Sequence, residues 1–169
     1  AERWGALRET IEAREQHLPD VKQRIELLWQ IIEIDEGLLY DRAHASATLG
    51  KIIELDRADL KAYRILQRHH AEAKRWRELD NLLQIESGLV AKSDVADVKA
   101  RRADLALAHF DDAAGALQLV AEILDLAPGH AQAIPLLERL LEVKGERHRA
   151  AAMLDALHRE AGNWARLVE

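Results

Sequence analysis

The chain has 169 residues, of which 49% are hydrophobic but only 4% aromatic, so its core must consist mainly of aliphatic side chains. Its formal net charge of −6 argues against general nucleic-acid binding, because a phosphate backbone requires dense Lys and Arg. Cysteine is absent, which excludes disulfides and thiolate metal sites, and the lack of a long apolar run indicates no membrane-spanning helix.

Hydrophobic residues recur at three- and four-residue spacing along the chain, which predicts a series of helices. In the first helix we expect Trp4, Leu7 and Ile11 on the inner stripe, before Pro19 breaks the pattern. The predicted helices span residues 3–17, 21–36, 41–56, 59–74, 75–86, 94–110 and 111–127, followed by an eighth closed by Gly145, a ninth closed by Gly162-Asn163, and a stub from Trp164 to Glu169. The connections are short, so sequential helices should be antiparallel neighbours.

The helical pattern also repeats at long range along the chain. Trp4 returns as Trp76, and His148 falls one further step of the same length along. The segment that begins at Asp41 returns at Asp112, with almost the same shift. The spacing from Trp4 to Trp76 is too long for one helical hairpin but fits two hairpins of about 34 to 37 residues each. The chain is therefore predicted to be an array of hairpins whose alternate members are most alike.

The stretch 111–145 carries the clearest motif: a small residue, two larger apolar residues and a proline, at spacings of 4, 3 and 5. These residues are Ala116, Val120, Ile123 and Pro128. This pattern resembles the second-helix half of the tetratricopeptide (TPR) repeat, a family of α-solenoids. The resemblance implies an all-α, right-handed superhelical α-solenoid of about nine to ten helices in antiparallel hairpins. It covers nearly the whole chain, so we expect one TPR-like domain over 1–169.

The first-helix half of the TPR motif is matched in part. Tyr63 and Leu66 fit its first two places, but the glycine and aromatic residue that usually follow are not present. An alternative register starts the motif at Trp4 and Trp76, and it leaves Pro128 without a place.

The candidate chemical sites have structural explanations. His69 and His70 lie close to Glu72, but adjacent residues on a helix point about 100° apart and do not converge on a metal. Asp111 and Asp112 open a helix, where carboxylates interact favourably with the helix dipole. The sequence contains no serine-hydrolase elbow and no glycine-rich phosphate loop. We therefore predict no catalytic residues, no enzyme activity, no metal and no cofactor.

The favoured function is a protein–protein interaction or scaffold module that binds a peptide or partner helix in its concave groove. The alternatives are a purely architectural segment, one that self-associates through its repeat ends, or, least favoured, an all-helical enzyme. We expect protein or peptide partners, with an acidic segment as one alternative, and neither nucleic acid nor membrane. The chain begins and ends inside repeats, so we expect it to be part of a longer repeat protein. No secretory leader precedes Ala1, but a missing leader says little about a chain that is part of a longer protein. The compartment stays open, with the cytoplasm slightly favoured.

The TPR resemblance also implies which side chains line the groove, because places 2, 5, 9 and 12 of each repeat point into it. On this register the groove places are Lys61, Arg64, Arg68 and Ala71, then Val98, Arg101, Leu105 and Ala108, then Gln132, Pro135, Arg139 and Glu142. The resemblance thus predicts a basic partner-binding face formed by Lys61, Arg64, Arg68, Arg101 and Arg139. Such a face suits a carboxylate-bearing segment, although the asparagines usual in such clamps are missing. Alternatively, these cations pair with Glu and Asp of neighbouring helices.

Overall fold

The computed structural model describes residues 2–160, which form helices joined by short turns. Its helices are α1 (Glu2–Gln16), α2 (Val21–Ile34), α3 (Arg42–Leu55), α4 (Leu60–Glu72), α5 (Trp76–Leu89), α6 (Val95–His109), α7 (Ala113–Leu126), α8 (Ala133–Leu141) and α9 (Arg147–Glu160). A π-helical segment, Asp35–Leu39, extends α2, and a short 3₁₀ turn, Lys92–Asp94, precedes α6. Residues 2–160 contain no β-strand, which agrees with the predicted all-α class. The turn and stub predicted at 162–169 lie outside the described residues.

The helices form two compact units, unit 1 (Ala1–Arg75) and unit 2 (Trp76–Glu169). Within each unit, helices that follow one another in sequence pack together, as expected for short connections. In unit 2, α8 packs against both α7 and α6, which is the arrangement of stacked hairpins. That the whole chain behaves as a single domain remains a prediction.

Unit 2 has an apolar core built from small and large side chains. Ala116, Val120 and Ile123 of the TPR-like motif are all fully buried in it. Ala100 and Ala103 of α6 are also buried there, and small side chains at a helix contact let two helices approach closely. The motif read from the sequence therefore correctly identified the centre of this core.

The core of unit 1 is contributed mainly by α2, α3 and α4. Its buried members are Leu28, Ile31, Ile32, Leu49, Ile52 and Ala62. Ile11 of α1 packs against this cluster as predicted, but Trp4 and Leu7 remain 38% and 41% exposed. The predicted inner stripe of α1 was therefore wrong at two positions. The reason is that α1 packs on α2 and the π-helical segment, so one face is covered and these two side chains lie outside it.

The predicted repeat is visible in the way α3 and α7 begin. Asp41 and Asp112 each cap a helix, and their carboxylates accept hydrogen bonds from the backbone N–H three residues further on, at 3.1 and 2.8 Å. The residue before each cap, Tyr40 or Asp111, adopts a left-handed conformation, with φ of 55° and 52°. The sequence match between these two segments thus corresponds to a repeated backbone structure.

Candidate functional site

A cleft of about 370 Å³ opens in unit 2 between α5, α6 and the start of α8. Its floor is apolar and consists of Leu79, Leu83, Ala100, Leu105, Pro135 and Leu136. Its polar lining residues are Arg101, Asp104, Gln132 and Arg139. An apolar floor beside a few charged groups is the usual composition of a site that binds one segment in one orientation.

Five of the groove places expected from the TPR register line this cleft. They are Arg101, Leu105, Gln132, Pro135 and Arg139. Val98, an earlier place on α6, is instead buried. Packing of α8 against α6 brings the two groups of places together. The leucines of α5 complete the floor, and the register had not indicated them.

The two arginines of the cleft already have acidic partners within unit 2. Arg101 Nη1 lies 3.3 Å from Glu86 Oε2, and Glu86 is only 1% exposed. Arg139 Nη1 donates to Asp104 Oδ1. These pairs agree with the expectation that the basic residues interact with Glu and Asp of neighbouring helices.

The other three predicted partner-binding residues lie on α4 in unit 1, and all are exposed. Lys61 Nζ sits 3.9 Å from the centre of the Trp29 ring, in a cation–π contact. Arg68 Nη2 lies 3.3 Å from both carboxylate oxygens of Glu36. Arg64 also has an electrostatic or hydrogen-bonding contact. The predicted cations are therefore placed on α4 in unit 1 and in the cleft of unit 2.

A polar network around the buried Asp35 of unit 1 was not predicted from the sequence. Asp35 is fully buried and accepts a hydrogen bond from Arg8 at 2.9 Å, while His44 Nδ1 lies 2.6 Å from it. Arg8 also bonds Asp41 at 3.0 Å, and His44 Nε2 lies 2.8 Å from Glu12. The hydrogen bond to Asp35 raises the pKa of Arg8. The His44 backbone N–H, together with Arg8, holds the pKa of Asp41 below its usual value.

His69 is a buried histidine, and both of its ring nitrogens have protein partners. Its Nε2 lies 2.5 Å from Glu36 and its Nδ1 lies 2.8 Å from the Ser46 hydroxyl, an order of groups also found in serine hydrolases. Ser46, however, lies within α3 and donates to the carbonyl of Arg42 at 2.8 Å. The neighbouring N–H groups are used in the helix, so they cannot form an oxyanion hole. Glu36 and Ser46 therefore serve as hydrogen-bonding partners of the buried imidazole of His69.

The other acidic and histidine clusters singled out in the sequence also have structural roles. Asp112 caps α7, and Glu72 pairs with Arg42. In the described part of the chain, no three potential ligand side chains are grouped as a metal site would need. None of the helices from residue 2 to residue 160 combines the length and apolar character needed to cross a membrane.

No protein-family model and no curated protein matches the chain. Solved structures do. A crystal structure of MamA aligns with a TM-score of 0.59 at 18% identity, over 96% of this chain and 91% of that one. MamA 41-end from Desulfovibrio magneticus RS-1 aligns with a TM-score of 0.52 at 15% identity, over 95% of this chain and 97% of that one. Nearly identical TPR-like repeats of a Podosopora anserina kinesin light chain align with a TM-score of 0.51 at 14% identity, over 96% of this chain and 97% of that one. The chain therefore has a TPR-like fold, an all-α solenoid of helical repeats.

Proposed function

We propose that this chain is a protein-interaction module and that the cleft of unit 2 binds an apolar segment bearing acidic side chains. The observation that carries the proposal is the pair of guanidinium groups, Arg101 and Arg139, beside an apolar floor. Partner helices and peptides commonly bury apolar anchors in such a groove and place their charges at its edge. The TPR-like fold supports the same general role.

The two parts of the cleft would contribute differently to binding. Burial of one leucine side chain of the partner on the apolar floor would contribute about 1.5–3 kcal/mol. Arginine binds a carboxylate in a fixed, often bidentate geometry, so Arg101 and Arg139 would fix the orientation and position of the segment. The net charge of −6 opposes acidic ligands at long range, so recognition would depend on these local groups.

A second candidate is self-association through a repeat end. A cleft of about 500 Å³ in unit 1 is lined by Leu7 and Leu38, which are both exposed, and by Ile11 and Leu27. Exposed apolar side chains that line a cleft can pack against another copy of the chain or against another repeat. We propose no catalytic activity and no cofactor requirement for either candidate.

The test of the main proposal uses two fluorescent synthetic helical peptides. Both carry Leu at three- and four-residue spacing; one has Glu beside each Leu, and the other has Gln. The Glu peptide should bind more tightly, and its affinity should fall as salt is added. Sedimentation of the free protein over a range of concentrations detects self-association in the same samples.

Arg139→Glu should weaken binding of the Glu peptide by roughly tenfold or more, because it removes a cation and adds a repulsive charge. Arg149→Glu is the matched control, since it makes the same charge change on α9 and its residue does not line this cleft. The double variant with Arg64→Glu and Arg68→Glu measures whether the basic residues of α4 take part. Equal affinities for the two peptides, or an unchanged affinity in folded Arg139→Glu, would refute the proposal.

A further inference from the structure

Asp104 puts a carboxylate inside the cleft that presents the two arginines. It lies on α6, lines the cleft, and accepts a hydrogen bond from Arg139. In the free protein the guanidinium of Arg139 therefore already faces the chemical group that an acidic partner would offer. An incoming carboxylate has to share this arginine or displace Asp104 from it.

The two ion pairs of the cleft differ in how easily they can be exchanged. Glu86 is 1% exposed, so removal of Arg101 would take a charged partner away from a buried carboxylate. Arg139 and Asp104 have side chains that are 46% and 58% exposed, and water can solvate both when they separate. Arg101 is thus held in place, whereas Arg139 can change partners at little cost.

We infer that Asp104 is an internal competitor that sets the affinity and selectivity of the cleft for acidic segments. This inference rests on the proposed function of the cleft. In the free protein Asp104 occupies Arg139, and on binding it yields this arginine to the carboxylate of the partner. Its negative charge also repels acidic ligands, so a segment must bring both apolar anchors and a well-placed carboxylate to bind.

The experiment compares Asp104→Asn with the wild-type protein, using the same Glu and Gln peptides. Loss of the competing charge should tighten binding of the Glu peptide by roughly five- to tenfold and leave the Gln peptide within about twofold. Asp125→Asn is the control, because it makes the same charge change at an exposed position of α7 outside the cleft. The control should leave both affinities unchanged. Thermal unfolding checks that all variants are folded.

A change of affinity in the opposite direction would indicate a different role for Asp104. If Asp104→Asn weakens binding of the Glu peptide, Asp104 positions Arg139 for the ligand and the competitor role is wrong. If the wild type prefers the Glu peptide and Asp104→Asn leaves that preference unchanged, the inference fails while the proposed function stands. If neither protein distinguishes the two peptides, the proposed function fails and the inference fails with it.

Discussion

The two units use the same backbone arrangement at one place in the repeat but fill it with different side chains. In unit 1 the amide of Asp41 donates to the carbonyl of Asp35 at 2.9 Å, and in unit 2 the amide of Asp112 donates to that of Ala106 at 3.1 Å. Asp35 and Ala106 therefore occupy equivalent positions. One is a fully buried acid that binds Arg8, and the other is a buried methyl group.

The neighbouring positions differ in the same way. His44 follows its helix cap by three residues and contacts Asp35, whereas Gly115, at the same distance from its own cap, has no side chain. Around Ala106 and Gly115, unit 2 has a cleft of about 230 Å³, which Asp80 also lines. The caps and the left-handed residues thus define the backbone of the repeat, and the enclosed side chains can change from a polar network to small residues.

This difference implies that the two units depend on different interactions for stability. Most buried polar side chains in the described part of the chain belong to unit 1, namely Glu15, Asp35, Thr48, Gln67 and His69, whereas Glu86 belongs to unit 2. A buried charge destabilises the fold when it loses its partner, while an apolar core destabilises it when a cavity is left in the core.

The largest expected effect is that of Asp35→Ala in unit 1. It removes a buried carboxylate that hydrogen-bonds both Arg8 and His44, and at about 1.5–3 kcal/mol for each hydrogen bond to a charged group it should destabilise the fold by about 3–5 kcal/mol. Urea unfolding gives the magnitude, and hydrogen exchange resolved by peptide should place the loss in unit 1. Asp35→Asn, which keeps an acceptor oxygen, should cost less. A loss below about 1 kcal/mol for Asp35→Ala would mean that the network contributes little to stability.

Leu137→Ala tests the apolar core of unit 2. Leu137 is fully buried in α8, and its truncation should cost about 3 kcal/mol through lost burial and the cavity left behind. Leu126→Ala is the control, since Leu126 is half exposed at the end of α7 and should cost less than about 1 kcal/mol. Similar losses of unfolding free energy for the two variants would contradict the assignment of this core.

The smallest expected effect is on the stability of the fold at low pH. The pKa of Asp41 is lowered from 3.8, chiefly by the His44 backbone N–H, and the pKa of Glu122 is lowered from 4.5, chiefly by Lys99. The folded-state pKa lies below the unfolded one in each case. Each carboxylate therefore stabilises its unit fully above the unfolded value, and this contribution is lost as pH falls through the folded value.

Both side chains are more than a third exposed, at 40% and 38%, so each contribution should stay below about 1 kcal/mol after solvent screening. Unfolding free energies measured between pH 7 and pH 3 should fall less steeply in Asp41→Asn and in Glu122→Gln than in the wild type. Hydrogen exchange resolved by peptide should place the change caused by Asp41→Asn in unit 1 and the change caused by Glu122→Gln in unit 2. Unchanged pH profiles would show that these carboxylates titrate normally.

The sequence by itself determined the helices, the aspartate cap of α7, the repeat and the class of fold. These features are local, because hydrophobic spacing and a capping aspartate act over a few residues. It also predicted half of the cleft: Arg101 and Arg139 follow from the TPR register. It did not indicate that Asp104 would face Arg139, 35 residues along the chain.

Only the tertiary structure decided which polar groups meet. Arg8 and Asp35 are 27 residues apart, and His69 and Glu36 are 33 apart, on different elements. Polar side chains carry no periodic signal for such pairs, since each could equally be solvated on a helix surface. The exposure of Trp4 was decided in the same way, because helical spacing identifies an apolar stripe and only the packing of neighbouring helices determines how much of it is covered.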